Sequence, residues 1–263
     1  MTTTYGVVAV RYAERETTRS EVYYRWGSYG EPDGPLNMAY YFWILEPPAG
    51  PRIVVDSGFA PQVGEEKGRP CSLTPAAALA RLGIDGADVQ QVVVTHLHYD
   101  HIGNLGLFPN AELVVARREL DFWTDPVARR PHFAEHTDPD AVAGLARAAA
   151  AGRVRFVDEE LEVAPGIVAV RVGGHSPGQL VVSVNTAGGG VLLASDAVHY
   201  YDELITERPF AVLADLADVY RAYDFVRELA CGGRALVPGH DPLVMERYPR
   251  LERSVDPLGV RIA

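Results

Sequence analysis

The sequence predicts an α/β fold in a single domain over residues 1–263. The chain has 263 residues, 48% of them hydrophobic, which suffices for one sizeable core. Short runs rich in β-branched residues, typical of buried strands, alternate along the chain with segments of helical pattern. Neither a low-complexity linker nor a repeat of short period divides the chain. A single layered α/β domain is therefore the simplest architecture.

The first half of the chain is predicted to contain four strands and one helix. The strands cover residues 5–13, 37–46, 52–55 and 92–95, and the helix covers 74–82 with Thr74 or Ser72 as its N-cap. Glycine and proline are dense between the first two strands, which predicts a loop around residues 26–36. Because loops often carry function, Trp26 and Tyr29 are expected to cover a pocket there.

The second half repeats the alternation of strands and helices. Strands are predicted over residues 112–116, 167–172, 181–184, 191–194 and 235–237, and helices over 118–124, 140–151 and 213–229. His132 and His136 lie four residues apart, a spacing that can face two imidazoles the same way on a helix. Because prolines flank them and the apolar stripe is weak, we interpret this pair as part of a surface lid.

The most informative stretch is residues 92–104, where a short valine-rich strand runs directly into a polar cluster. Four side chains in this cluster can bind a divalent transition metal as neutral imidazole or carboxylate: His96, His98, Asp100 and His101. A single histidine there would be an ordinary loop residue, but packing gives no reason to crowd four such groups together. The stretch therefore predicts a metal site.

Similar residues follow three later predicted strands, namely His175, Asp196 and His240. Ligand sites in α/β proteins lie at the carboxyl ends of strands, where the loops converge on one crevice, so we expect these residues to join the first cluster. Asp56 ends an earlier strand in the same way. It either caps its turn or supports a metal ligand from behind.

Composition excludes several partners. A net charge of −11 and a pI near 5.2 disfavour nucleic acid, because such binding depends on clustered lysine and arginine. The two cysteines, Cys71 and Cys231, are too few for a disulfide framework. Neither a signal peptide nor an apolar membrane span is recognisable, so we expect a cytoplasmic location without a membrane partner. The oligomeric state stays open, with a homodimer as the alternative to a monomer.

Together these residues resemble the metallo-β-lactamase-fold hydrolases. The hallmark of that family is His-x-His-x-Asp-His after a strand, followed by a distant histidine, a distant aspartate and a final histidine. The similarity extends from about residue 37 to residue 241 and includes Asp56 in Val-Val-Asp-Ser-Gly. It implies a four-layer αββα sandwich with the metal site at one edge.

The resemblance also implies a ligand set for two divalent metal ions. His96, His98 and His175 would hold the first ion, Asp100, His101 and His240 the second, and Asp196 would bridge them. Such ligands suit Zn²⁺, and Fe or Mn would also fit. A hydroxide shared by the two ions would attack an ester carbonyl, with Asp100 orienting it. Because no ligand is a cysteine, hydrolysis of β-lactam antibiotics is disfavoured.

Within this family the string Thr-His-Leu-His-Tyr-Asp-His-Ile-Gly-Asn resembles that of the N-acyl-homoserine-lactone lactonases. The resemblance implies a small-molecule lactone or ester as substrate, with an acyl chain against Trp26 and Tyr29. In those lactonases a tyrosine three residues after the bridging aspartate contacts the substrate carbonyl. This chain has His199 at that position and Tyr200 next to it. Either of these two residues could take the catalytic role.

Three other functions remain as alternatives. A glyoxalase-II-like thioesterase shares the ligand set, but only 23 residues follow His240, too few for the helical glutathione-binding region of those enzymes. A sulfur dioxygenase of this fold would use a single iron and oxidise persulfides, leaving Asp100, His101 and His240 without a metal. A metal-binding module without enzymatic activity would require a site closed to substrate.

Overall fold

Two β-sheets packed face to face organise the computed structural model, which describes residues 3–251 and 258–263. The strands are β1 (Gly6–Thr18), β2 (Pro35–Glu46), β3 (Ile53–Val55), β4 (Gln91–Val94), β5 (Glu112–Ala116), β6 (Val154–Val157), β7 (Glu160–Ala164), β8 (Ile167–Arg171), β9 (Leu180–Thr186), β10 (Gly189–Ser195), β11 (Arg234–Pro238) and β12 (Gly259–Arg261). Residues 1–2, part of the amino-terminal segment without a recognisable signal peptide, lie outside the described residues.

The helices lie on the outer faces of the sheets and in the connections. They are α1 (Arg19–Val22), α2 (Pro61–Glu66), α3 (Pro75–Arg81), α4 (Tyr99–Ile102), α5 (Arg117–Thr124), α6 (Pro131–Ala134), α7 (Pro139–Ala150), α8 (Glu203–Thr206), α9 (Leu216–Cys231) and α10 (Leu243–Arg247). Short 3₁₀ turns add to these, among them Trp26–Tyr29. In the described part of the chain, no helix combines the length and the apolar character that crossing a bilayer requires.

The strand orders place the carboxyl ends of several strands at one edge. The first sheet has the order β12-β1-β2-β3-β4-β5-β6, and β3 to β6 run parallel. The second has the order β11-β10-β9-β8-β7 and is antiparallel apart from the parallel pair β10 and β11. Parallel neighbours end at the same edge, so the loops after β4, β10 and β11 can meet.

Three apolar layers hold the architecture together. The inner faces of the two sheets form one core, in which Trp43 and Val93 of the first sheet are fully buried with Val182 and Leu193 of the second. A second core lies between the first sheet and the helices α3, α5 and α7, and a third between the second sheet and α9. This order of helices, sheet, sheet and helix confirms the predicted αββα sandwich.

Most predicted elements are present, with differences at their boundaries. Thr74 caps α3 as predicted, because its Oγ1 accepts a hydrogen bond of 3.2 Å from the amide of Ala77. The helix predicted at 213–229 begins three residues later, after the cap residue Asp215, and ends at Cys231. Several elements were missed, among them the strands β6, β7 and β12 and the helix α2, which lies in a stretch rich in proline and glycine. Strand β1 is also longer than predicted and pairs with β2 as far as Thr18.

A bulge in β1 brings its second half toward the site. The register with β2 shifts between Arg11 and Ala13, and Tyr12 lies at this irregularity. The hydroxyl of Tyr12 donates a 2.9 Å hydrogen bond to the carbonyl oxygen of Asp100 and accepts one of 3.2 Å from the amide of Phe59. Beyond the bulge, Arg15 lies opposite Met38 of β2. Strand β1 thereby contacts the polar cluster directly.

Candidate metal centre

Every predicted ligand stands at or just beyond the carboxyl end of a strand. His96 and His98 follow β4, and α4 carries Asp100 and His101. The three other predicted ligands follow β8, β10 and β11 in the second sheet: His175, Asp196 and His240. All seven side chains are buried, and the structure brings all seven together at one edge of the sandwich.

Six of the seven side chains form two adjacent groups of three, and Asp196 lies between them. Possible ligand atoms of His96, His98 and His175 lie within 4.8 Å of one another, and the same holds for Asp100, His101 and His240. These are the two sets that the sequence resemblance implied.

Asp196 lies against both groups. Its Oδ2 is 3.4 Å from His175 Nε2 and 3.1 Å from His240 Nε2, and its Oδ1 is 3.4 Å from His101 Nε2. Gly239 packs against this carboxylate, and only glycine fits there, because a Cβ at this position would lie 2.6 Å from Asp196 Oδ1. The carboxylate is therefore held where two cations could share it.

Hydrogen bonds on the far side of three imidazoles fix their orientation. His175 Nδ1 donates to the carbonyl of Val212 at 2.8 Å, and His240 Nδ1 donates to the carbonyl of Ala39 at 2.7 Å. His101 Nδ1 donates to Asp56 Oδ2 at 2.8 Å. Because each ring carries its proton on Nδ1, the lone pair of Nε2 faces the cluster, as metal ligation requires.

Asp56 connects this support to the neighbouring strand. Its Oδ1 accepts a hydrogen bond from the amide of Thr95, and its Oδ2 accepts one from Thr95 Oγ1, both at 2.8 Å. The same hydroxyl lies 3.2 Å from His96 Nδ1. Asp56 thus contacts a predicted ligand of one group directly and one of the other through Thr95.

The chemistry of the cluster fits divalent cations. His96 Nε2 and His101 Nε2 are buried without a hydrogen-bond partner among the described residues, and an unsatisfied buried polar atom costs about 1–3 kcal/mol. The pKa values of His96, His98 and His175 lie well below the ordinary value for histidine, mainly because the rings are buried and also because other imidazoles lie beside them. These rings are therefore neutral at pH 7, as metal ligands must be. Two cations would satisfy these orphaned atoms.

A cavity of about 180 Å³ lies beside the cluster. Five of the seven predicted ligands form part of its lining: His98, Asp100, His175, Asp196 and His240. Tyr40, Tyr99 and Phe210 contribute aromatic walls. A small molecule entering the cavity would therefore reach the predicted ligands of both groups.

Comparison with known proteins agrees with this geometry. A model of the metallo-beta-lactamase superfamily matches residues 37–248. The chain belongs to the metallo-beta-lactamase superfamily. The N-acyl homoserine lactonase AttM of Azorhizobium caulinodans is 31% identical over 188 residues, which cover 68% of this chain and 66% of AttM, just under two thirds of its length.

Two further relatives extend the comparison. The N-acyl homoserine lactonase AiiA of Bacillus thuringiensis subsp. kurstaki is 27% identical over 195 residues, covering 68% of this chain and 72% of AiiA. The crystal structure of a quorum-quenching N-acyl homoserine lactone lactonase superposes with a TM-score of 0.76 at 24% identity, covering 95% of this chain and 97% of that one. All three of these proteins to which the chain is similar are named as N-acyl homoserine lactone lactonases.

His199 and Tyr200, the two residues weighed for the catalytic role, have different surroundings. His199 Nε2 lies 3.2 Å from Asp196 Oδ2, and its ring stacks on Phe210 with centroids 3.8 Å apart. The ring of Tyr200 packs with Tyr23 and Trp26, and its hydroxyl donates a 3.2 Å hydrogen bond to the carbonyl of Asn37. Only His199 contacts a predicted ligand.

The aromatic residues expected over the pocket pack elsewhere. Trp26 is buried among Val22, Tyr23 and Tyr200, and the ring of Tyr29 lies 5.8 Å from that of Trp26. Neither ring is part of the cavity lining described above. The guanidinium of Arg208 covers both rings, at 5.3 and 4.6 Å from their centroids, so they form a cluster beside the site.

One cavity residue lies in the segment interpreted as a lid. His136 is half-buried, lines the cavity, and has its ring centroid 5.6 Å from that of His98. His132 is exposed, with its centroid 6.4 Å from that of His136. His132 and His136 therefore do not act together as a pair of metal ligands, but His136 is one of the residues that line the cavity.

A buried glutamate that sequence reasoning missed connects two ligand loops. Glu119 of α5 accepts hydrogen bonds from the amide of Leu97 at 2.9 Å, the amide of Gly178 at 2.6 Å and the indole of Trp123 at 2.7 Å. It also accepts one from the hydroxyl of Ser176. Leu97 lies between two predicted ligands and Ser176 follows a third, so a single carboxylate holds both loops.

The backbone at Gly178 packs closely against Glu119. A Cβ on Gly178 would approach the Glu119 backbone and Cβ to 2.5 Å, so only glycine allows this contact. The Trp123 ring lies edge-on to His98, with centroids 5.4 Å apart. Burial raises the pKa of Glu119 against the effect of its four hydrogen-bond donors. The sequence gives no signal that Glu119 holds these two loops, because a glutamate in a short amphipathic helix is ordinarily expected to face solvent.

Removal of one predicted ligand tests the metal centre. We expect His175→Ala to lose most of the bound metal while retaining the fold, because its side chain belongs to one group and contacts Asp196. Elemental analysis after dialysis, with circular dichroism for the fold, measures this. The control is His132→Ala, an exposed histidine of the same chain. Equal metal content in wild type and His175→Ala would contradict the assignment.

Glu119 provides a second test that leaves every predicted ligand in place. Glu119→Gln replaces an acceptor oxygen by a donor that faces other donors, so we expect about 1–3 kcal/mol lower stability and roughly 10–100-fold weaker metal affinity. Thermal unfolding and competition with a chelator measure the two effects. Asp121→Asn, at an exposed position of the same helix, is the matched control. Wild-type metal affinity in Glu119→Gln would refute the positioning role.

Proposed function

We propose that the chain is a dinuclear metal-dependent hydrolase that opens lactones, with N-acyl homoserine lactones among the candidate substrates. The main support for this proposal is the pair of buried ligand groups that share Asp196 beside a small cavity. The relatives AttM and AiiA, both named N-acyl homoserine lactonases, support the choice of a lactone. The two divalent ions would be Zn²⁺ first, with Fe or Mn as alternatives.

When bound, two such ions would supply a nucleophilic water at neutral pH and would polarise the ester carbonyl. The residues of the chain then have to hold and orient the reactants. Asp100 lines the cavity and its Oδ2 lies 3.7 Å from His240 Nε2 and 3.8 Å from His101 Nε2. Its carboxylate can accept a hydrogen bond from the attacking water and so direct the oxygen lone pair at the carbonyl carbon.

His199 is our candidate for the group that assists the leaving oxygen. It is the one imidazole outside the seven predicted ligands, among the described residues, that lies within 4 Å of Asp196. Stacking on Phe210 fixes its ring plane. Tyr200 is fully engaged by Asn37 and by the aromatic cluster, so we assign it a packing role.

The overall reaction balances as a simple hydrolysis. The oxygen of water forms a bond to the carbonyl carbon, and the bond from that carbon to the ring oxygen breaks. The ring oxygen takes a proton and becomes a hydroxyl, while the new carboxylic acid ionises. One proton is therefore released per lactone opened at neutral pH, which gives a direct assay.

The proposal includes the compartment and the substrate class. Both cysteines, Cys71 and Cys231, are free, which accords with a reducing cytoplasm. The partner is a small-molecule lactone or ester and not a nucleic acid, because the net charge of the chain is −11.

The decisive experiment combines a metal count with a proton-release assay. We expect elemental analysis to find close to two metal ions per chain, and a pH-stat to detect proton release from some members of a lactone panel with different rings and acyl lengths. S-lactoylglutathione and a persulfide are included as competitors. The metal-free protein, prepared with a chelator, is the control and should be inactive until metal is restored.

The alternatives predict other outcomes of the same experiment. Faster hydrolysis of the thioester than of every lactone would favour a glyoxalase-II-like activity. A single iron per chain, with oxygen consumed on the persulfide and no lactone opened, would favour a sulfur dioxygenase. Two metals without turnover of any of these compounds would favour the metal-binding module.

A matched pair of variants tests the two candidates beside Asp196. We expect His199→Phe, which keeps the stacked ring and removes its nitrogens, to lower kcat about 100-fold or more, as loss of a proton-transfer group does. Tyr200→Phe should keep kcat within about threefold and lower stability by about 1 kcal/mol through its lost hydrogen bond. Metal content is measured for both. The reverse pattern would assign the role to Tyr200.

A further inference from the structure

Two arginines line the cavity together with the predicted ligands. Arg15 comes from the second half of β1, opposite Met38, which also lines the cavity. Arg69 comes from the segment after α2, and its guanidinium donates to the hydroxyl of Tyr99 in the ligand motif. Positive charge thus reaches the cavity from two separate parts of the chain.

Among the residues that the structure describes, neither guanidinium has a partner of opposite charge. Within residues 3–251 and 258–263, Arg15 and Arg69 form no ion pair, and the Nε atom of each is buried without a hydrogen-bond acceptor. Several other arginines of this acidic chain are paired with carboxylates, among them Arg117 with Asp158, Arg171 with Glu159, Arg208 with Glu31 and Arg227 with Asp224. Because carboxylates are in excess, two unpaired guanidiniums at one cavity call for a physical reason.

A further unsatisfied group lies in the same lining. The hydroxyl of Tyr40 is buried without a hydrogen-bond partner in the described part of the chain, and its ring packs edge-on against His240 with centroids 5.1 Å apart. Burial raises the pKa of this hydroxyl, while the charges of Arg69 and Arg15 oppose the rise. Tyr40 therefore lies near both guanidiniums and remains a neutral donor.

Two other charged groups, Lys67 and Glu21, lie on this side of the cavity. Lys67 lies 4.6 Å from the centroid of the Tyr99 ring and adds positive charge. Glu21 also lines the cavity, but it is exposed and its carboxylate accepts a 2.6 Å hydrogen bond from Thr17 Oγ1. Water screens an exposed carboxylate, so Glu21 does not replace the missing partners of the arginines.

We propose that the lactone bound here carries a carboxylate on the arm that extends from its ring, and that Arg15 and Arg69 bind this carboxylate. The inference rests on the proposed lactone hydrolysis and narrows its substrate class. Guanidinium groups match a carboxylate in shape and bind it through paired, charge-assisted hydrogen bonds. A purely aliphatic acyl arm would offer no acceptor to Arg15, Arg69 or Tyr40.

A pair of substrates that differ only in charge tests the inference. N-glutaryl-homoserine lactone is compared with the compound whose terminal carboxylate is replaced by a carboxamide, and shorter and longer arms are tested in the same way. For the zinc-loaded protein we expect kcat/KM to be about tenfold or more higher for the carboxylate. Raising the ionic strength should shrink this ratio, because salt screens the charges.

Variants assign the preference to the arginines. Arg15→Gln is the cleaner variant because Arg69 also holds Tyr99. We expect Arg15→Gln and Arg69→Gln each to lower the carboxylate-to-carboxamide ratio by about fivefold or more, and Arg15→Lys to recover part of it, because the loss is one of charge. Arg221→Gln is the control: its side chain is 73% exposed and pairs with Asp218 on α9.

The outcomes separate this inference from the lactonase proposal. If both lactones are opened at equal rates, the lactonase proposal stands and the carboxylate site is wrong. If neither is opened, binding of the corresponding γ-lactams, which resist hydrolysis, is measured by calorimetry. Tighter binding of the carboxylate lactam, lost in Arg15→Gln, would still support the anion site. Equal affinity of both lactams would overturn it.

Discussion

The structure depends on one carboxylate surrounded by imidazoles. Five ring nitrogens lie between 3.1 and 3.8 Å from Asp196: those of His96, His101, His175, His199 and His240. These side chains are buried, so water does little to stabilise either their neutral lone pairs or their charges. Divalent cations would resolve the conflict, because they satisfy neutral nitrogen and carboxylate ligands together. The remaining features of this edge serve to hold these groups in place.

The backbone is strained at two residues next to the predicted ligands, at the ends of β3 and β10. Asp56 and Ser195 adopt positive φ angles of 62° and 46°, a conformation that non-glycine residues rarely take and that costs on the order of 1–3 kcal/mol. Thr95 Oγ1 contacts both, at 2.8 Å from Asp56 Oδ2 and 2.9 Å from Ser195 Oγ. The two sheets are thus locked to each other at the point where β3, β4 and β10 deliver their polar residues.

The sequence predicted what local chemistry determines. The ligand motif, the strands before it and the layered fold follow from hydrophobic patterning and from residue types that bind metals. Glu119 was missed because its function depends on Leu97 and Gly178, distant in sequence and brought near only by packing. Trp26 was expected at the pocket because aromatic residues in loops often contact ligands, whereas burial against Tyr200 is equally favourable for such a ring.

The cavity separates reaction chemistry from substrate recognition. The ligand residues follow strand ends in the two sheets and are held by buried carboxylates, so few substitutions there are compatible with metal binding. The arginines come instead from the end of β1 and from the segment after α2. Strand β1 contacts the ligand motif through Tyr12, and Arg69 contacts it through Tyr99. If our proposals hold, substitutions in these two segments would change which lactones the protein accepts and would leave the predicted metal ligands in place. A shared superfamily fold therefore constrains the bond that is broken much more than the molecule that contains it.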